Sequence, residues 1–491
     1  MNYIRIEPNK SFYGEVELEQ PSMVVDGQEV AQPSMTIGGT FAIADGVPRL
    51  NLVKFDQHFH VSDGVPLTMR TEENWVVSLF DTVPLRTGRR GGPVSLTYYQ
   101  HVISNLTLVS WEQWKPEYRV RRATFRVPLA DYILRHWPTY QQLADSKLGH
   151  HVAREAIVAP IAGGTVRIHY SLSGSGDSDY PKEVWPLIEM EFDTGLDLNE
   201  AGHSVLTFVR FLSAVSSVVL EASELQFSQL THAEYNQAHI DGHMPIEYSV
   251  YYQREVGPSK ADPEHIRTWG AFAFLNDDAE RDAFVACLTA WFGRSDDYEG
   301  ATLTMMEAMS LKGQINPTRL INATKWIEAT PGVKPKSAMK DLDITALSSL
   351  LARNAIKLGY SNIRGRIANC FKQIASEANS ARFIRLVAEL KLVYGEKVVG
   401  DDLASWVAEA FTVRGSVAHG PIIRQTELQY QIFVRATYAA ECFAYLLLLR
   451  DLPMSDEGRI RVGSAAMVEK YGHGIRGQSP VDFKKAFKAA E

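Results

Sequence analysis

Two patterns of hydrophobic and polar positions divide the chain. Up to about residue 256, short alternating or aromatic runs prevail. Phe41-Ala-Ile-Ala and Leu50-Asn-Leu-Val flank an Asp45-Gly46 turn signal, and further runs occupy 75–80, 96–99, 106–109, 118–120 and 165–170. Alternation of period two places successive side chains on opposite faces of a strand. The Gly, Pro and Asp-Gly punctuation between the runs marks turns, so this part reads as an antiparallel sandwich or barrel. One helix is expected within it, over about 199–220, and residues 171–178 read as a flexible loop.

After Gly257-Pro258 the spacing becomes helical. Residues 279–292 are amphipathic and another helix follows Tyr298. Asn316-Pro317 pairs a capping side chain with a proline at the first helical position, predicting a helix that ends near Thr330-Pro-Gly. Helices are then expected over 343–358, 361–377, 380–394, 401–418 and 424–450. The fold class implied is α+β and multidomain: a β-rich N-terminal regulatory or sensing domain over 1–256, a connecting helical segment over 257–300, an all-α bundle over 301–454, and a polar C-terminal tail over 455–491.

Length and composition fit that division. The 491 residues suit two or three domains, and 45% hydrophobic with 22% charged residues is ordinary for a globular protein. A net charge of -8 removes whole-molecule attraction to nucleic acid, so any RNA contact must come from a local basic patch. Cys287, Cys370 and Cys442 lie far apart, make neither a disulfide framework nor a metal-knuckle spacing, and suit a reducing cytoplasm. The first residues lack the basic start and apolar run of an export signal. The apolar stretch at 443–449 is too short to cross a bilayer and reads as a core helix, so no membrane partner is expected.

The chemistry concentrates late in the helical part. Leu403, Trp406, Val407, Ala410 and Phe411 form one apolar stripe, and Arg414 extends it; an arginine in a packing face needs an anion or a partner surface. His419 follows five residues on, about 140° around an unbroken helix, so convergence of the two requires a turn at the helix end or a second chain. A histidine can take or give a proton near neutral pH, and a permanent guanidinium can hold a phosphate and stabilise charge on its oxygens. Together they suit RNA cleavage by the strand's own 2′-hydroxyl. Glu409 and Arg435, on the same and the following helix, are possible orienting neighbours.

Arg414-Gly-Ser-Val-Ala-His419, between two long helices, resembles the R-x(4–6)-H signature of the HEPN superfamily. With its β-rich region in front, the layout is similar to ApeA-type antiphage proteins. The resemblance implies that Arg414 and His419 are catalytic at a homodimer interface, and that the activity is endoribonucleolytic and free of cofactors. It further implies an RNA substrate, a phage-derived trigger and a cytoplasmic site of action. One position departs from the pattern: Gly415 stands where active members usually carry a polar residue, and the alternative is an inactive RNA- or protein-binding module.

Arg353, Lys357, Arg364, Arg366 and Lys372, interleaved with Tyr360 and Phe371, could grip an RNA backbone or merely form a solvated helix face. Arg86-Thr-Gly-Arg-Arg-Gly-Gly92 is a basic glycine-rich loop without a Walker ending, and residues 115–126 form a basic aromatic segment. His58 and His60 alternate as on a strand face, and His232, His239 and His243 cluster with Asp241. Asp241-Gly242 breaks the helix that would align the last pair. These read as structural or surface histidines, with no metal expected.

Overall fold

A computed structural model describes residues 4, 6–7, 10–18, 23–25, 28–30, 34–44, 47–91, 96–131, 133–139, 141, 154–173, 183–252, 271–272, 275–294, 296–311, 315–337, 340–360, 365–367, 369–370, 376–419 and 426–490. Within these, the side chains of 23–25, 28–30, 91, 154–156, 171–173, 183–184, 341–342 and 417–419 lie outside the description. The chain divides into a unit comprising Met1–Val209 with Glu221–Ser259, and a second comprising Arg210–Leu220 with Lys260–Glu491.

The named strands of the first unit all pair antiparallel. Strands β1 (Ser11–Leu18), β4 (Met35–Ala44), β5 (Val47–Phe55), β6 (Leu67–Thr71), β7 (Val76–Gly91) and β8 (Leu96–Ser110) pair in the ring β8-β5-β4-β1-β6-β7, and the β7–β8 pairing closes it into a six-stranded barrel. Alternation fills its interior: Phe12, Val16, Ile37, Phe41, Leu50, Leu52, Met69, Leu79 and Val102 are buried in one cluster. Closure at β1–β6 demands glycine, because a Cβ at Gly14 would lie 2.3 Å from the Arg70 carbonyl oxygen. A small separate hairpin joins β2 (Met23–Val25) to β3 (Gln28–Val30). The basic glycine segment from Arg86 is no loop: Arg86 to Gly91 pair with β8. His58 and His60 lie beyond the end of β5, exposed, rather than on a strand.

From β8 the sheet continues through β14 (Tyr248–Tyr252), β13 (Ser223–Ser228), β9 (Val120–Arg126), β12 (Glu183–Leu196), β11 (Gly164–Ser173) and β10 (Arg154–Ile161). One face of these strands is apolar. Phe125, Ile168, Ile188 and Met190 are buried on it, and Phe125 meets Phe208 of helix α1 (Leu198–Ser216) edge-on at 5.6 Å. The opposite face carries Arg122, Arg167, His169, Glu189 and Glu191, brought side by side by the registers Arg167↔Glu189 and Glu191↔Arg122. Helix α2 (His232–Ile240), opened by a Thr231–Glu234 capping box, lies at this polar face.

The second unit is helical: α3 (Asp278–Phe292), α4 (Glu299–Ser310), α5 (Pro317–Ala329), α6 (Asp341–Lys357), α7 (Asn379–Tyr394), α8 (Leu403–His419), α9 (Glu427–Leu449), α10 (Asp456–Val462), α11 (Ala466–Gly474) and α12 (Pro480–Ala490). The Asn316 side chain accepts from Arg319 N, so the cap that the Asn-Pro pair predicts is made. Much of the helix expected over 361–377 falls outside the described residues. Residues 455–491 carry three of the helices above.

Helix α9 is the centre of the unit, with Phe443 to Leu449 buried all round. It is the one described helix long and apolar enough to cross a bilayer, and 83% of that window is buried inside the protein. Its one buried charge, Glu441, takes two bonds from Arg319 of α5, at 2.5 and 2.8 Å. Phe383 of α7 packs on Phe443 and on Phe411 of α8, and Tyr394 donates to the Leu446 carbonyl. These contacts hold α5, α7, α8 and α9 together as the frame of the arginine site.

Candidate functional site

Helix α8 runs unbroken through the motif, and Gly415 does not interrupt it. The backbone positions of Arg414 and His419 are therefore about 140° apart around one axis and roughly 7.5 Å along it. His419 is the last residue of the helix, and its side chain lies outside the described residues. Arg414 is half-buried. Its Nη1 stands 3.0 Å from Glu328 Oε2 on α5, and its guanidinium lies 5.9 Å from the Phe411 ring.

A second arginine completes the setting. Arg382 of α7 is buried, its guanidinium 4.6 Å from the Phe383 ring and 5.8 Å from the Phe411 ring, which Arg414 also approaches. Burial pulls the Arg382 pKa down, and the charge of Glu328 raises it. Its buried Nε has no hydrogen-bond partner. Arg414 thus pairs with Glu328, while the Arg382 guanidinium feels the charges of both Glu328 and Glu377. The buried Nε of Arg382 is a donor for an arriving anion in a half-desolvated setting, where charge-assisted contacts are strong.

The proposed neighbours are engaged elsewhere. Glu409 accepts from Lys484 Nζ at 2.8 Å, and Arg435 stacks 4.0 Å from the Phe483 ring while donating to Gln478 Oε1 at 3.1 Å. Both therefore hold α12 rather than Arg414. Arg353 and Lys357 are exposed on α6, and Arg366 and Tyr360 are exposed beyond it. Arg364 and Lys372 lie outside the described residues, as does Phe371. Sequence reasoning missed Arg382 and Glu328. Nothing in its local sequence marks Arg382; its burial against the Phe383 ring distinguishes it.

The polar face of the first unit holds another cluster, assembled from three distant segments. His232 Nδ1 is 2.7 Å from Glu189 Oε1, His169 Nε2 is 4.0 Å from the same oxygen, and the two imidazoles are stacked 4° from parallel. Glu189 Oε2 accepts from Arg122 at 3.2 Å, while Arg122 also reaches Glu247 at 2.8 Å and lies 3.5 Å from the Tyr235 ring. Burial pushes the Glu189 carboxyl up, but His169, Arg122 and His232 hold it down at about 2. The sequence cluster behaves differently from its appearance: His232 joins this group, whereas His239 meets the Tyr235 ring edge-on and Asp241 caps the helix.

No family model matches the chain. No curated protein and no solved structure match it either.

Proposed function

We propose that the helical unit is a metal-independent endoribonuclease of the HEPN type, working in antiphage defence as a homodimer and controlled by the β-rich unit. The supporting observation is the surroundings of Arg414, on the helix that ends in His419: its guanidinium pairs with Glu328 of α5, and buried Arg382 of α7 has an Nε without a hydrogen-bond partner. In this reading the scissile phosphate takes the place of part of the Glu328 contact. Arg414 clamps its oxygens and Arg382 supplies a second positive charge behind it. The 2′-hydroxyl attacks the adjacent phosphorus, the P–O5′ bond breaks, and the hydroxyl proton passes by way of His419 to the departing oxygen. The products are a 2′,3′-cyclic phosphate and a 5′-hydroxyl. Because one helix sets Arg414 and His419 well apart around its axis, the working cleft combines Arg414 of one chain with His419 of another. The chain acts in the cytoplasm, on RNA, when a phage-derived trigger engages the β-rich unit.

The test mixes two inactive variants. Arg414→Ala and His419→Ala chains should each fail to cut RNA, and co-refolded mixtures should regain about a quarter of wild-type activity, since half the dimers are mixed and each has one intact cleft. Two variants that cut normally on their own would overturn the proposal. The intramolecular Arg414–Glu328 ion pair favours a second reading, a module that binds RNA without cutting it; stoichiometric RNA binding with intact product would establish that one.

A further inference from the structure

We propose that His169, Glu189 and His232 form a site for one divalent metal ion of borderline softness, such as zinc, with a coordination position left for water or an anionic oxygen. This proposal stands on the β-rich unit alone and does not depend on the nuclease reading.

Three buried atoms carry it: His169 Nε2, Glu189 Oε1 and His232 Nδ1 all lack a hydrogen-bond partner. They lie within 4.8 Å of one another, and the Glu189 side chain is only 5% exposed. Although His232 Nδ1 and Glu189 Oε1 approach to 2.7 Å, the angle is not that of a hydrogen bond. Buried polar atoms left unsatisfied are costly, and three such atoms gathered in one place are what a shared ion resolves.

The dimensions agree. Ligand atoms about 2.1 Å from a tetrahedral zinc stand about 3.4 Å from each other. The observed 2.7 and 4.0 Å separations bracket that value, so small side-chain rotations bring the three atoms onto one ion. The outer contacts also suit ligation. Arg122 fixes the second oxygen of Glu189, and the Asn236 side-chain amide lies 2.9 Å from His232 Nε2. As placed, Asn236 Nδ2 faces Nε2; turning the amide half over presents its oxygen to Nε2–H, and Nδ1 then keeps its lone pair for the metal.

Charge and ligand chemistry narrow the occupant. Arg122 and Arg167 pair with Glu189, Glu191 and Glu247 around the group. Two imidazoles with one carboxylate select against calcium and magnesium, which take oxygen donors, and the absence of a thiolate in the group selects against copper(I). Three protein ligands leave a fourth position open, the arrangement of sites that polarise water or bind a ligand rather than merely staple a fold.

The full chain is purified without a metal-affinity tag, stripped by a chelator, reloaded with zinc and gel-filtered, and its metal is measured by mass spectrometry. The wild type should retain about one equivalent. Glu189→Gln and His232→Ala should retain less than a tenth of that, and Asn236→Ala should bind about 10–100-fold more weakly. His232 begins α2 with a partly exposed side chain, so its loss leaves the fold measurable by circular dichroism. Cobalt loading should give a visible absorption band in the wild type that His232→Ala lacks. Wild-type protein that retains no zinc, or a folded His232→Ala variant that retains a full equivalent, overturns the proposal. The first result would identify an ion-paired or water-bridged histidine cluster.

Discussion

Replacing Glu441 by alanine is predicted to destabilise the helical unit by about 3–5 kcal/mol, the range for removing one partner of a buried ion pair. Glu441 and Arg319 are each 1% exposed at the side chain, and no solvent can replace the two bonds at 2.5 and 2.8 Å. The alanine variant removes the carboxylate from a buried guanidinium that lies 5.3 Å from the Tyr438 ring. The consequence reaches the site, because this pair fixes α5 against α9 and α5 carries Glu328. Urea unfolding followed by far-ultraviolet circular dichroism reads the loss. At a slope of about 3 kcal/mol per M, the midpoint of the helical transition should fall by 1 M or more. The double variant Arg319→Met/Glu441→Leu should recover most of that, since a well-packed apolar pair removes the stranded charge. A Glu441→Ala midpoint within about 0.3 M of wild type would refute the reasoning, as that is roughly 1 kcal/mol.

Burial pushes Asp131 up to about 6 against the pull of Arg126 and Arg135, and its Oδ1 has no hydrogen-bond partner. A carboxyl with a folded pKa above its unfolded value favours folding most below the unfolded pKa, and that contribution is lost as pH rises through about 6. Asp131→Asn should therefore stabilise the β-rich unit by about 2 kcal/mol at pH 7.5 and do little at pH 3.5; calorimetry showing equal effects at both pH values would contradict this. Ending the chain after Gln478 removes Phe483 from Trp406 and Arg435, and Lys484 from Glu409. The helical unit should lose about 2–4 kcal/mol, with the Trp406 indole newly exposed to an acrylamide quencher; an unchanged melting curve would show that α12 contributes nothing.

The helical half was legible because its signals are local. Asn316-Pro317 and the apolar stripe through Trp406 and Phe411 each depend on neighbours a turn away, and α5, α7, α8 and α9 lie close to where the helical spacing puts them. Residues 455–491 were harder. Their three helices bury only a few apolar side chains each, such as Val462, Tyr471 and Phe483, so composition alone reads as a polar tail. The β-rich half showed strands but not their partners. Barrel closure depends on β7 pairing β8 along nearly its whole length, and that pairing absorbs the Arg86 to Gly91 segment that looked like a loop. The histidine cluster shows the same limit. His169, Glu189 and His232 meet because β11 and β12 share a register and α2 lies at their face, and nothing in their spacing announces it. Glu441 was hidden differently: one acid in a long apolar helix has meaning only beside Arg319, 122 residues earlier.

The central claim is that His419 and Arg414 cut RNA through the strand's own hydroxyl, and the chemistry of the product ends tests it most directly. Wild-type protein and His419→Ala are incubated with total RNA and the cut ends are mapped. The account predicts 2′,3′-cyclic phosphate and 5′-hydroxyl ends from the wild type and none from the variant. Products bearing 3′-hydroxyl and 5′-phosphate ends, or equal cutting by the two proteins, would contradict it.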